Sequence, residues 1–182
     1  MKRLFFIRHG ETDLNVKQHF AGITEAQLTD DGRTQAQKSG RHLKSNPVAI
    51  DWIISSPLAR TQETAKIIAT EIGFPLENIE LNELFLERNF GPLENTSAQK
   101  FLTTKDSYRK IDTVEGAETI ANLQTRAERA LQYVKSLPHD NVLVVSHGAF
   151  GRAFRRAVME LPHSHEYEAE FSIGNAEILE LI

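Results

Sequence analysis

The chain has 182 residues, 40% of them hydrophobic and 25% charged, with a formal net charge of −4 and no cysteine. That length suits one domain with its own core, and the negative balance argues against general attraction to nucleic acid or to an anionic membrane. The missing cysteine excludes disulfides, thiolate zinc sites and cysteine nucleophiles, so an anionic ligand would have to be held by a local cluster of other cations.

MKRLFFIRHG has too few apolar residues before Arg8 for a signal peptide, and nothing later is long enough to span a bilayer, so a cytoplasmic protein is expected. Leu4 to Ile7 reads as a buried strand that runs straight into Arg8, His9 and Gly10. Thr29 before Asp30 and Asp31 predicts a helix N-cap with an acidic first turn. Trp52 to Ile54 is a second buried strand, and Ser56-Pro57 reads as the next helix start, a capping hydroxyl with proline at the first helical position. Ala65, Ile68, Ala69 and Ile72 continue that helix at the right spacing. The stretch 89–116 is polar and weakly periodic, and predicts a lid-like excursion over the sheet within a single domain spanning 1–182. Ile120, Leu123, Ala127, Ala130, Leu131 and Val134 make the clearest amphipathic helix. Val142 to Val145 is a third buried strand, leading to His147-Gly148, and Ala176 to Ile182 alternates like a strand nearer an edge. Helices between strands imply an α/β fold, a largely parallel sheet with helices on both faces.

In such sheets ligands sit beyond the carboxyl ends of the strands, where helix N-termini also point. Three buried strands here end in cationic or imidazole groups: Arg8-His9, Arg60 in the first turn after the second strand, and His147. A lone histidine or arginine at a strand end is ordinary. Three endings on one edge would assemble two guanidinium groups and two imidazoles, a set that suits a phosphoryl dianion.

Turnover needs more than binding. A histidine kept neutral among cations is a nucleophile of a known phosphoryl-accepting type. The leaving alkoxide then needs an acid, for which Glu87, partly desolvated behind Leu84, Phe85 and Leu86, is the first candidate, with Glu83 and Glu94 as alternatives. Glu11, directly after the histidine, is as readily a structural residue that orients its loop by hydrogen bonds as a catalytic one. His163, His165, Glu166 and Glu168 suggest a metal site only weakly and read as a solvated edge or loop. Arg152, Arg155 and Arg156 read as a solvated or salt-bridged helix face. No dinucleotide or Walker loop is present, and Ser146-His147 is no nucleophile elbow.

At these positions the chain resembles the histidine phosphatase superfamily, the phosphoglycerate-mutase-like proteins. RHGET with Asn15, LTDDG, SSPLARTQETA, LERNFG and VVSHG resemble the family's five linked motifs, in order along nearly the whole chain. The resemblance implies a three-layer α/β/α sandwich around a mostly parallel sheet. It also implies a phosphorylated His9, with Arg8, Asn15, Arg60 and His147 on the phosphoryl group and Glu87 as proton donor. Neither metal nor other cofactor is required, and the partner is a small phosphorylated substrate. Gly22 and Arg88 are the substrate-loop candidates, although Arg88, like Arg109 and Lys110, reads first as a surface charge.

The departures concern specificity. Phe90 stands where mutases carry tyrosine, GPLENTSA lacks their lysine, and Ala149 follows the second histidine-glycine pair where asparagine is common. These favour an acid-type histidine phosphatase and leave phosphoglycerate mutase as the alternative. A non-catalytic phospho-ligand module is a third reading, opposed by the intact His9 and Glu87. Ala21 and Asn95 also depart from the family pattern, at positions where a polar residue and a glycine are common.

Overall fold

The computed structural model describes residues 3–46, 48–99, 101, 106–166 and 168–182. Alternation within each strand feeds two cores at once. In β1 (Arg3–Arg8) Leu4 and Phe6 face one side of the sheet and Phe5 and Ile7 the other, all buried. β2 (Trp52–Ser55) divides Ile54 from Ile53 in the same way. After the two-residue β3 (Glu80–Leu81), β4 (Asn141–Ser146) puts Val142 and Val144 on one face and Leu143 and Val145 on the other. Strands apolar on both faces require cover on both.

That cover is helical. Leu43 of α2 (Asp30–Ser45) and Ala65, Ile68 and Ala69 of α3 (Ala59–Ile72) pack with Phe5, Ile7, Ile53, Leu143 and Val145. The other face carries α5 (Ile120–Ser136) and α6 (Gly148–Val158), with the short α4 (Ser107–Asp112) adding Ile111 to the same core; α1 (Asp13–Val16) is a single short turn. The strand order is β3-β2-β4-β1-β5, parallel except for β5 (Ile178–Glu180), which runs antiparallel on β1 at the edge. The mixed α/β, mostly parallel architecture expected from the sequence is the one observed. No helix among the described residues is long and apolar enough to cross a membrane.

Three local readings need correction. Thr29 caps α2 as expected, its hydroxyl accepting from the Gly32 amide at 3.0 Å. Ser56, however, does not cap α3, which begins at Ala59. The Ser56 hydroxyl is committed to the buried His147 imidazole, and Glu25 Oε2 takes the Ala59 amide instead at 3.0 Å. Along 176–182 only Ile178–Glu180 forms a strand, because Ala176 has a positive φ of 53° and breaks the extended run.

The third concerns the 89–116 segment, of which Lys100 and 102–105 lie outside the described residues. Its described part does not simply lie over the sheet. Phe90, Ala98 and Ile111 are buried in the α5–α6 core. The Phe20 amide donates to Thr96, and those of Asn95 and Ala98 to Phe20 and Gln18, at 2.8–3.0 Å, fastening it to the loop after α1. Asn95 sits at φ +63°. That left-handed conformation is one asparagine tolerates better than most side chains, so Asn95 keeps the geometry a glycine would allow.

Candidate active site

Strand register assembles the site. β1 pairs with β4 in parallel with Arg8 opposite Ser146, and the His9 amide donates to the Ser146 carbonyl at 2.9 Å. The residue after each of these strands is a histidine, so the rings of His9 and His147 meet edge to face, 5.3 Å between centroids. β2 pairs with β4 with Ser55 opposite Val145, which brings the Ser56 hydroxyl to 2.8 Å from His147 Nε2. The loop after β1 turns tightly against the start of α2. A Cβ on Gly10 would lie 2.3 Å from the Gly32 carbonyl oxygen, which is why glycine follows the histidine.

His9 is 3% exposed, and its Nδ1 lies 2.7 Å from the Gly10 carbonyl oxygen. A carbonyl only accepts, so the neutral ring carries its proton on Nδ1 and its lone pair on Nε2. Burial, then the charges of Arg60 and Arg8, hold His9 well below the ordinary histidine value of 6.5, against the opposing bond to Gly10. Burial, Arg60, His9, Arg8 and Arg126, in that order, do the same to His147.

Arg60 is 1% exposed and spans the loop before it: NH2 donates to the Gly22 carbonyl at 2.7 Å and NH1 to Thr24 at 2.9 Å. Burial lowers its pKa, opposed by the carboxylates of Glu87, Glu25 and Glu94. Arg60 Nε and His147 Nδ1 are buried with no hydrogen-bond partner among the described residues, which is unusual for polar atoms of a folded core. Arg8 NH1 donates to the Ile173 carbonyl at 2.9 Å. Asn15 closes a capping box with Thr12, and its Oδ1 also accepts from Asn175, so the amide group it has left is the Nδ2 donor.

Glu87 is 9% exposed and caps a helix that has no side-chain cap of its own. Its Oε1 accepts the amides of Phe150 at 2.8 Å and Arg88 at 2.9 Å, and its Oε2 that of Ala149 at 3.1 Å. Two otherwise orphaned N-terminal amides of α6 are thereby satisfied. The Ser146 hydroxyl fixes the same segment from below, donating to the Phe85 carbonyl at 2.7 Å.

One cavity of about 660 Å³ is lined by Arg8, His9, Asn15, Gly22, Arg60 and Glu87. His147 is fully buried and lies behind His9 instead of on the cavity wall. Arg88 is not brought there, and the surface-charge reading is also wrong. It is fully buried, paired with Asp112 at 2.5 Å and bonded to the Glu118 carbonyl at 2.8 Å. Of the two alternative carboxylates, Glu94 is a staple, holding the amides of Ile23, Thr24 and Phe90 and the Thr24 hydroxyl. Glu83 faces a different groove. Glu11 accepts from the Thr29 hydroxyl at 2.9 Å, the structural of its two readings. The 163–168 cluster is divided among separate partners: His163 lies against Glu128, His165 near Asp112, and Glu168 pairs with Arg156.

Sequence reasoning missed several cavity residues, among them Gln18, His19, Gln99, Arg152 and Asn175. Arg152 had a usable signal: it lies four residues after Gly148, on the same face of α6. Asn175, which donates to the His9 carbonyl at 3.1 Å, had none, because β5 returns it to the site from the far end of the chain.

The family model described as histidine phosphatase superfamily (branch 1) matches residues 4–182. A probable phosphoglycerate mutase, GpmB, of Erwinia tasmaniensis is 30% identical over 174 residues, covering 91% of this chain and 79% of its own. The uncharacterized phosphatase PhoE of Bacillus subtilis is 34% identical over 151 residues, covering 82% of this chain and 73% of its own. Among solved structures, a mutant phosphoserine phosphatase of Entamoeba histolytica in complex with phosphoserine aligns with a TM-score of 0.78 at 28% identity, covering 98% of this chain and 89% of its own. From β1 to the final strand, this chain belongs to the histidine phosphatase superfamily.

Proposed function

We propose that the protein is a phosphomonoester hydrolase that works through a phosphohistidine at His9. The observation that carries this reading is the state of the His9 ring: Nδ1 bonded to a carbonyl, Nε2 left with its lone pair, and the imidazole held neutral by its burial beside the buried Arg60 and the half-buried Arg8. Nε2 attacks phosphorus in line as the ester P–O bond breaks. Arg8, Arg60 and the Nδ2 group of Asn15 take the charge on the equatorial oxygens, and His147, whose Nδ1 has no hydrogen-bond partner among the described residues, backs the His9 ring from just behind the cavity wall. Glu87 gives its proton to the leaving oxygen. It then takes one from a water that attacks the phosphohistidine, releasing phosphate and restoring neutral His9.

The cavity far exceeds the size of a phosphoryl group, which supports a small metabolite ester with a sizeable leaving group. Mutase activity is supported by the probable phosphoglycerate mutases that recur among the relatives. Hydrolysis is favoured by what the wall lacks: Phe90 and Ala149 line the cavity without a hydroxyl or amide to hold a transferring product.

The test is hydrolysis of p-nitrophenyl phosphate and of a panel of metabolite esters, with an alkaline denaturing quench to trap phosphoenzyme. Wild type should turn over and carry an acid-labile phosphate, and His9→Ala should do neither. Turnover by His9→Ala at the wild-type rate would refute the reading. A coupled assay that found interconversion of 2- and 3-phosphoglycerate faster than hydrolysis would favour the mutase.

A further inference from the structure

A proton donor must be aimed, and the local sequence around Glu87 does little to aim it. The segment is a 3-10 turn (Glu83–Phe85) followed by irregular chain. Its carbonyls converge instead on one side chain from α5. Arg126 NH1 donates to the Leu84 carbonyl at 3.0 Å and to Leu86 at 2.7 Å, and NH2 donates to Glu87 itself at 3.1 Å. Glu118 holds the opposite edge of the guanidinium, accepting from Nε at 3.0 Å and from NH2 at 2.7 Å. All five guanidinium N–H groups therefore have acceptors. The two side chains are 18% and 17% exposed.

A second contact reaches the same carboxylate. The Arg126 guanidinium lies over the Phe150 ring, 5.3 Å from its centroid, and the Phe150 amide is one of the donors that hold Glu87 Oε1. One arginine thus fixes both the main chain that carries Glu87 and a helix residue that grips its carboxylate. Lysine could not do the same, since it lacks the planar fork that meets three carbonyls and a carboxylate together.

We propose that Arg126, anchored by Glu118, is a positioning residue that points the Glu87 carboxyl at the leaving oxygen. The inference rests on the reading of Glu87 as proton donor. A misplacement of about 1 Å can cost roughly a hundredfold in rate, and here the loss falls on the step that needs the proton.

The test uses substituted phenyl phosphates, from p-nitrophenyl to p-methoxyphenyl, with wild type and the variants Arg126→Lys, Glu118→Gln, Glu87→Gln and Glu87→Gln/Arg126→Lys. Urea unfolding verifies that each variant is folded under assay conditions. Arg126→Lys keeps the charge and Glu118→Gln keeps the arginine, so neither result is a simple loss of the cation. Both should lose at least about tenfold more kcat/KM on the methoxyphenyl than on the nitrophenyl ester, within the range expected for general-acid catalysis. The double variant should lose little beyond Glu87→Gln alone, because the two residues act as one unit. Equal loss across the series in both Arg126→Lys and Glu118→Gln, beside a leaving-group-dependent Glu87→Gln, overturns this inference alone. A flat profile in Glu87→Gln overturns the acid role and the inference with it. Wild type inert toward every ester overturns the proposed function.

Discussion

Holding His9 and His147 neutral has a thermodynamic consequence that can be measured without a substrate. Both titrate well below the ordinary histidine value of 6.5 in the folded protein, chiefly through burial. On acidification the unfolded chain takes up protons at both positions first, while the native site refuses them. Stability is therefore lost as pH falls below 6.5, down to the depressed native values. Each such histidine costs about 1.4 kcal/mol between roughly pH 7.5 and 5.5, and the pair about 2.7 kcal/mol. At roughly 2–4 °C per kcal/mol for a domain of this size, that is a difference of about 5–11 °C in Tm.

Other groups also titrate in this window, so the informative quantity is a comparison. The loss between the two pH values is measured by urea and thermal unfolding for wild type and for His9→Gln/His147→Gln. Phosphate-free buffer is needed, because a bound dianion would favour the protonated rings. Wild type should lose about 2.7 kcal/mol more than the double variant. An identical loss in both would mean that the native imidazoles accept protons freely. The account of His9 as a neutral nucleophile between two arginines would then fail. On the catalytic side, wild-type kcat/KM for p-nitrophenyl phosphate should not show its acid limb at the ordinary histidine value.

Three further outcomes follow from the geometry. Glu94→Gln places an amide donor against a site made of donors; it should cost about 1–3 kcal/mol of stability and slow phenyl esters of good and poor leaving groups alike. A loss graded by leaving group would move the acid role from Glu87 to Glu94. Gly22→Ala puts a Cβ 2.0 Å from Glu94 Oε1 at a φ of +55°; a severalfold rise in KM and about 1–3 kcal/mol of destabilisation should appear by steady-state kinetics and urea unfolding. Arg88→Met removes a fully buried guanidinium from its ion pair with the partly exposed Asp112. It should lower stability by about 3–5 kcal/mol while leaving KM for p-nitrophenyl phosphate unchanged at a temperature where the variant is folded. A large KM change would return Arg88 to the substrate site.

Much of this protein was legible in its letters. The runs Leu4–Ile7, Trp52–Ile54 and Val142–Val145 announced buried strands, and the residues after them announced the site, because apolar runs and strand-end chemistry are local properties. The spacing of Ile120, Leu123, Ala127, Leu131 and Val134 gave α5 for the same reason. Ser56 was misread for a reason that is also physical: a serine before proline caps a helix unless a stronger partner claims its hydroxyl, and that partner comes from another strand.

Local patterning therefore determined that this chain builds a two-sided sheet whose strands end in arginine and histidine, since periodicity and composition are written residue by residue. Register and long-range packing decided the rest. They set His147 against His9, made Glu87 the cap of α6, buried Arg88 on Asp112 and turned Arg152 into the cavity. Each of those contacts joins residues far apart in the chain or depends on which face of a helix meets the sheet. Only the folded arrangement carries that information.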